Sequence, residues 1–233
     1  MVTRGKKYLE KAKLVVLRKK YMPNEAVSLL KQTSITKFDG TVDLSIKLGI
    51  DPKRSDQQVR GTVLLPGGSG KKVKVIVIAK GEKIKEAQSA GADYAGGDDL
   101  IEKISKGWTD FDVAIATPDI MASVGKLGKI LGQKGLMPNP KTGTVTFDVK
   151  KTVSEFKAGK VEYKTDKTGV VHVPIGKISF SEDKIRSNLT SVVEAVSKGK
   201  PSGFKGIFIK SVAVSATMGP AVHVDISKII SAS

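Results

Sequence analysis

The sequence predicts two domains of different class in one chain: a discontinuous α+β domain with an antiparallel sheet, built from both flanks, and an α/β domain inserted at about residues 68–159. Three observations lead there. The middle third carries near-continuous apolar, β-branched runs, VKVIVIA at 73–79 and FDVAIA at 111–116, as strands buried on both faces require. The flanks instead alternate apolar with polar residues, the pattern of a sheet with one face on a core and the other in water. Between the two patterns lie Pro66-Gly67-Gly68-Ser69-Gly70, flexible by composition, and Lys157 to Lys160, the return crossing. Two crossings close together are expected to act as a hinge.

The elements follow in order. The segment from Met1 to Tyr21 reads as a basic helix with Lys7, Lys11 and Arg18 near one face and Leu9, Ala12 and Val16 opposite. That basic face is either solvated or an auxiliary phosphate contact. In Thr41 to Leu48, Val42, Leu44, Ile46 and Leu48 share one side of a strand, and Thr41, Asp43, Ser45 and Lys47 the other. Gln58 to Leu65 resembles a second strand. In the middle, a strand at Val73 to Ala79 leads through Gly81 into a helix at Glu82 to Ala90. A short strand at Ala92 to Ala95 and a helix at Leu100 to Ile104 come next. After the strand at Phe111 to Ala116, Thr117 is placed to cap a helix that starts at Pro118 and runs towards Leu131.

In the second flank, Val161 to Lys164 and Val170 to Ile175 bracket the turn-rich Asp166-Lys167-Thr168-Gly169, and Ile207 to Ala216 and Ala221 to Ile226 bracket Thr217-Met218-Gly219-Pro220. Both read as hairpins. Between them Glu182 to Lys198 is an amphipathic helix capped by Ser181, with Ile185, Leu189, Val192, Val193 and Val196 as its apolar stripe.

Charge indicates the partner. The chain of 233 residues has 40 Lys and Arg against 23 Asp and Glu, a net charge of +17. Residues 1–67 hold 14 basic and 6 acidic groups and residues 160–233 hold 11 and 6, a surplus of 13; residues 68–159 hold 15 and 11, a surplus of 4. Neutralised phosphates release counterions, so the flank domain is expected to be the main binder of a polyanion. Nucleic acid fits better than an anionic membrane surface, which asks for a basic amphipathic helix with aromatic anchors. With 5% aromatics and one Trp, Trp108, a platform that stacks many bases is disfavoured.

Other chemistries find little support. The chain has no cysteine, hence no disulfide, thiolate ligand or cysteine nucleophile, which fits a reducing compartment. The longest apolar run, Val75 to Ala79, is far shorter than a membrane span, and the interrupted, basic N-terminus predicts no secretion signal. No Gly-Lys pair completes a P-loop and the Rossmann glycine spacing is missing. The junction of strand, Gly81 and helix reads as a plain βα turn, with a phosphate cradle as the weaker alternative. Metal ligands are scarce, and no catalytic, metal or cofactor site is expected. The two histidines, His172 and His223, fall on the polar side of their strands and read as surface or hydrogen-bonded sheet residues. Paired carboxylates at Asp98/Asp99 and Glu182/Asp183 suit helix first turns, and Asp110/Asp112 make no acid–base pair.

Strand parity gathers the most informative surface. Thr41, Asp43, Ser45, Lys47, His172, Ser211, Ser215, Thr217 and His223 project away from the apolar side, with Lys37 and Phe38 just before the first strand. Small hydroxyls, one aromatic ring and nearby lysines can meet ribose hydroxyls, sugar edges and bases. Gly219 lets a hairpin backbone approach a ribose closely. Asp43 works against a phosphate neighbour. The competing reading is an α/β enzyme acting on a phosphorylated metabolite at the Gly81 turn.

Most of these residues lie within segments similar to a known family. KFDGTVDLSIKLGIDPKRSDQQVRGTVLLPGGSGK (37–71), KIKEAQSAGADYAGG (83–97), GKLGKILGQKGLMPNPKTGTVT (125–146), YKTDKTGVVHVPIGK (163–177) and SATMGP (215–220) resemble, in order and over essentially the whole chain, the bacterial large-subunit ribosomal protein L-one family of the mobile stalk beside the exit site. The resemblance implies a discontinuous α+β domain and an inserted Rossmann-like α/β domain. It implies binding of a folded segment of 23S ribosomal RNA through the discontinuous domain, help in moving deacylated tRNA out of the exit site, and repression of translation of its own operon messenger RNA. The implied protein is cytoplasmic, on the ribosome, a monomer away from it, and not an enzyme.

Family RNA-contact positions match at Lys37, Phe38, Thr41, Ser211, Thr217, Met218 and Gly219, and extend to Asp166, Lys167, Thr168 and His172. GLMPNPKTG (135–143) is a hallmark of the inserted domain, whose RNA contacts in the family are secondary. Gln133 stands where the family commonly has proline, and Gly40 where an acidic residue is common.

Overall fold

The computed structural model describes residues 4–16, 18–52, 54, 57–201, 204 and 206–227. In chain order they form α1 (Lys6–Ala12), α2 (Pro23–Thr33), β1 (Thr41–Leu48) and β2 (Arg60–Leu64). There follow β3 (Val75–Ile78), α3 (Glu82–Ser89), β4 (Tyr94–Gly96), α4 (Asp98–Ser105), β5 (Val113–Ala116), α5 (Met121–Gly125), α6 (Gly128–Gln133) and α7 (Val149–Ala158). The chain closes with β6 (Lys160–Lys164), β7 (Val170–Lys177), α8 (Glu182–Lys198), β8 (Ile209–Ala216) and β9 (Ala221–Val224). This mixed α/β chain separates into two compact units, one made of the stretches up to Gly70 and from Val161, the other Lys71–Lys160.

The first unit holds a four-stranded antiparallel sheet in the order β7-β1-β8-β9. Alternation does the work. In β1, Val42, Leu44, Ile46 and Leu48 are fully buried while the residues between them are half-exposed. The same holds for Val171, Val173 and Ile175 in β7 and for Val212 and Val214 in β8. Helices α2 and α8 cover this apolar side, α2 through Ala26, Val27 and Leu30, α8 through Ile185, Leu189, Val192, Val193 and Val196. At roughly 1.5–3 kcal/mol per fully buried aliphatic side chain, this single cluster supplies most of the unit's hydrophobic stabilisation.

Helix α8 begins after Ser181, which has the extended backbone of an N-cap but no side-chain capping bond; Glu182 and Asp183 face the positive end of the helix and Lys198 the negative end. One polar residue in α8 is fully buried. Asn188 accepts from the Gly67 N–H at 2.8 Å and donates to the carbonyls of Gly68, 3.0 Å, and Ile175, 2.7 Å. The Gly67-Gly68 segment is thereby tied to helix and sheet at once.

The second unit is a three-stranded parallel sheet, β4-β3-β5. All four residues of β3 are buried. Ile76 and Ile78 pack with Ile104, Phe111 and Leu131 on one side, while Val75 and Val77 pack with Ala87, Val153 and Phe156 on the other.

Four expectations are corrected. The reversal at Asp166–Gly169 closes with only one antiparallel bridge, Thr165 to Val171, and the Asp166 N–H on the Val170 carbonyl at 2.9 Å; the strands either side do not pair along their length, since β6 pairs with β2 in a separate two-stranded sheet and β7 joins β1. The helix from Pro118 to Leu131 is broken into a 3-10 turn, Pro118–Ile120, then α5 and α6, because Gly125 and Gly128 weaken a continuous helix between them. Thr117 does not cap it; its hydroxyl is buried with no hydrogen-bond partner among the described residues. The N-terminal helix stops at Ala12 and buries nothing: Leu9 and Val16 are 52% and 59% exposed, and Arg18 lies beyond the helix at φ 66°.

Candidate nucleic-acid interface

The polar face of the four-stranded sheet follows from its register. Val170, Lys47 and Ser211 form one transverse row; His172, Ser45, Ala213 and His223 form the next; Pro174, Asp43, Ser215 and Ala221 form the third. His172, Ser211 and His223 are exposed. At ~3.3 Å per residue, the six steps from Thr41 to Lys47 give the face a length of about 20 Å. The sequence-derived site residues lie on or around this face, gathered at its two ends with His172 between them.

At the Thr41 end, the β8–β9 turn is locked to β1. Thr41 donates its N–H to the Thr217 hydroxyl at 2.9 Å, that hydroxyl donates to the Thr41 carbonyl at 3.1 Å, and the Thr217 N–H reaches the same carbonyl at 3.0 Å. Thr217 therefore fixes the turn's position. Thr41 itself presents a hydroxyl that accepts from Lys177 Nζ at 2.9 Å. The turn closes with the Gly219 N–H on the Ala216 carbonyl at 2.8 Å. Its tip, Met218, has φ 65° and is 76% exposed. A residue with a Cβ in the left-handed region costs ~1–2 kcal/mol, and Gly ordinarily occupies such a position. The strained, solvent-facing methionine is thus an apolar tip at the same end of the face as Thr41, which the exposed Lys37 and Phe38, 63% exposed, precede in the chain. Gly219 sits close to backbone: a Cβ there would lie 3.3 Å from the Ala216 carbonyl oxygen.

At the Lys47 end stands the loop of Asp166, Lys167 and Thr168. The Asp166 carboxylate accepts from the N–H groups of Thr168 and Val170, each at 2.8 Å, and from the Thr168 hydroxyl. These bonds, the one from Val170 foremost, hold its carboxyl below the usual carboxylate range. Lys47 donates to the Thr168 carbonyl, and Lys167 is exposed. Asp166 and Thr168 so spend their polar atoms on one another and shape the loop. Between the two ends, His172 Nδ1 lies 3.0 Å from the Ser45 hydroxyl. Asp43 is the adverse group: burial pushes its carboxyl up, against the pull of His172 and Lys177.

Sequence reasoning missed Lys177, which the register places opposite Thr41, and Asn188, whose burial no local pattern announces. Gly81, with φ 59° and an exposed position, opens the eight-residue α3 without a side-chain cap. Among the described residues no group of three or more His, Asp or Glu is arranged to hold a metal, and no helix is long and apolar enough to cross a membrane.

An open antiparallel sheet with helices on one side and hydroxyls, lysines and an apolar tip on the other has the chemistry with which proteins meet nucleic acid. The family model described as Ribosomal protein L1p/L10e family matches residues 30–220. The chain belongs to that family, which makes it a ribosomal protein that binds ribosomal RNA in a structural role. Within it, Gly40 leaves no room to spare: a Cβ there would sit 3.1 Å from Thr36 Oγ1 and 3.4 Å from Thr217 Cβ, pressing on the residue that anchors the turn. Gln133 is the exposed last residue of α6.

Proposed function

We propose that the unit made of both flanks is the RNA-binding domain of a large-subunit ribosomal protein, and that the Lys71–Lys160 unit is a Rossmann-like domain inserted into it. The RNA is a folded segment of 23S ribosomal RNA at the mobile stalk. Lys37, Phe38, Thr41, Met218 and Gly219 meet it directly at one end of the face, Ser211 and Lys167 at the other and His172 between them, while Thr217, Asp166 and Thr168 set the backbone that the RNA touches. Through the stalk the protein assists release of deacylated tRNA from the exit site, and through a similar RNA fold in its own operon messenger RNA it represses translation. Away from the ribosome it is a cytoplasmic monomer.

The observation that carries this reading is Met218. A hairpin tip that keeps a methionine in a glycine conformation and leaves it three-quarters exposed is poorly explained by folding, and well explained by a shape-specific contact. Filter binding tests it. Met218→Ala and Phe38→Ala are expected to weaken binding to the stalk RNA about tenfold, and to leave binding to an unrelated RNA of equal length almost unchanged. An equal loss on both RNAs defeats the reading.

A further inference from the structure

The polar face does not end at Ser211. Where β8 begins and β9 ends, a cavity of about 470 Å³ opens, lined among others by Arg18, Lys20, Lys210, Ser211, Ile207 and Asp225. That is a ligand-sized space. Two backbone irregularities build it.

The first is at Lys210. Val212 and Val214 are buried, so strict alternation would drive Lys210 into the core. Instead the register slips: Ser211 faces Lys47, Ile209 faces Leu48, and Lys210 is left over between them. This bulge leaves two consecutive side chains, Lys210 and Ser211, both exposed. Bulges re-aim side chains in this way and are enriched at binding sites. The second is Arg18, whose φ of 66° is the other left-handed non-glycine value among the described residues besides that of Met218. Two residues on, Lys20 leads into Tyr21, whose N–H bonds the His223 carbonyl at 2.9 Å and whose carbonyl receives the Asp225 N–H at 2.8 Å. Pairing with β9 thus holds the Arg18–Lys20 segment along the cavity.

The charges favour an anion. Three cations line the space against one carboxylate, and Asp225 already accepts from the Ser227 N–H at 3.0 Å and the Ser227 hydroxyl at 2.6 Å. Ile207, 76% exposed, supplies an apolar wall. We infer that this cavity seats the sugar-phosphate backbone of an RNA strand running off the sheet, a phosphate among Arg18, Lys20 and Lys210 and a ribose against Ile207. The inference rests on the RNA-binding reading of the sheet above, with which the cavity is continuous through Ser211.

The test is filter binding of the full chain to the stalk RNA over a series of salt concentrations. Arg18→Gln combined with Lys210→Gln is expected to weaken binding about tenfold and to lower the slope of log affinity against log salt by about 1, one phosphate contact being lost. Lys210→Arg, which keeps the charge, retains the wild-type slope. Phosphate ethylation interference on the wild type marks the phosphates that matter, and those in the cavity cease to matter in the double variant. If the double variant, shown by its melting curve to be folded, keeps wild-type affinity and slope, the inference falls while the sheet reading stands. If the wild type shows no preference for the stalk RNA, it is the sheet reading that fails. A free nucleoside monophosphate, titrated calorimetrically, is expected to give no saturable heat; saturable binding that the double variant abolishes would make this a small-anion pocket and overturn the RNA assignment.

Discussion

Strands β1 and β3 are both central in their sheets, and they are used in opposite ways. In β3 every residue is buried, because the parallel sheet has apolar partners on both sides. In β1 every second residue is buried, because helices cover one side only. The parallel sheet is thus committed to packing on both faces, and its chemistry is confined to loops. The antiparallel sheet keeps a face whose side chains carry no packing duty and are free to be chosen for a ligand. What the difference teaches is where to look for function: on the surface that a sheet of this class leaves uncovered.

The sharpest way to break this comparison is an alanine scan along both strands, read by hydrogen exchange so that each unit reports its own stability. Leu44→Ala and Ile46→Ala are expected to lower the stability of the first unit by ~2–5 kcal/mol each, whereas Ser45→Ala stays within ~0.5 kcal/mol. In β3, Ile76→Ala and Val77→Ala both destabilise by ~2–4 kcal/mol, with no alternation. A large loss at Ser45 would mean that the polar face is packed, and would remove the surface on which the RNA reading stands.

Asn188 gives the next largest effect. Replacing it with Ala leaves the buried Ile175 carbonyl and the half-buried Gly67 N–H and Gly68 carbonyl without their partner, a loss of ~1–3 kcal/mol in the first unit. Chemical denaturation followed by far-UV circular dichroism checks it, and the exchange of the Gly67 amide is expected to accelerate. An unchanged midpoint would show that this tie does not fix where the first unit's chain leaves its sheet.

Asn188 also shows where the sequence stops being legible. Alternation in β1, β7 and β8 was readable because a two-residue period survives in any context, and the stripe of α8 because its apolar residues recur at three and four. The polar face was therefore readable too, down to His172, Ser211 and His223, whereas Met218 entered only through the resemblance to a family. Pairing partners were not. Asp166–Gly169 has true turn chemistry, yet the strands it joins enter different sheets, since the partner of β6 is β2, about a hundred residues away in sequence. Likewise nothing local reveals that Lys210 is bulged outward, because a bulge is a property of two strands together. Asn188, polar in a helix, looks like a solvent residue until the glycine segment it satisfies is brought beside it.

Met218 sharpens the comparison from the other side, by separating stability from binding. Met218→Gly relieves the left-handed backbone and is expected to stabilise the first unit by up to ~1 kcal/mol. The same change removes the exposed side chain and lowers affinity for the stalk RNA about tenfold. Thermal melting and filter binding move in opposite directions. Loss of stability on adding glycine would show that the methionine serves the fold, and would leave the open face without its most telling contact.

The smallest expected effect uses acid titration to distinguish the ends of the face. Asp43 has its carboxyl pushed up by burial, so protonation favours the folded state. Its unfavourable contribution is present above the folded pKa and fades as pH falls through that value towards the unfolded one near ~4. Asp166 is held low by the N–H of Val170 and its bonds to Thr168, so its favourable contribution is present above the unfolded pKa and is lost as pH falls through the folded one. At neutral pH, Asp43→Asn is expected to stabilise the first unit slightly and to raise RNA affinity two- to threefold by removing a negative charge from the face. Asp166→Asn destabilises slightly, and both groups are partly exposed, so each change stays below ~1 kcal/mol. Melting curves of the three proteins from neutral pH down to about pH 3 converge on one another from opposite sides. If Asp43→Asn instead melts below the wild type at neutral pH, its carboxylate is a structural partner within the face, and the polar side of β1 carries a packing duty after all.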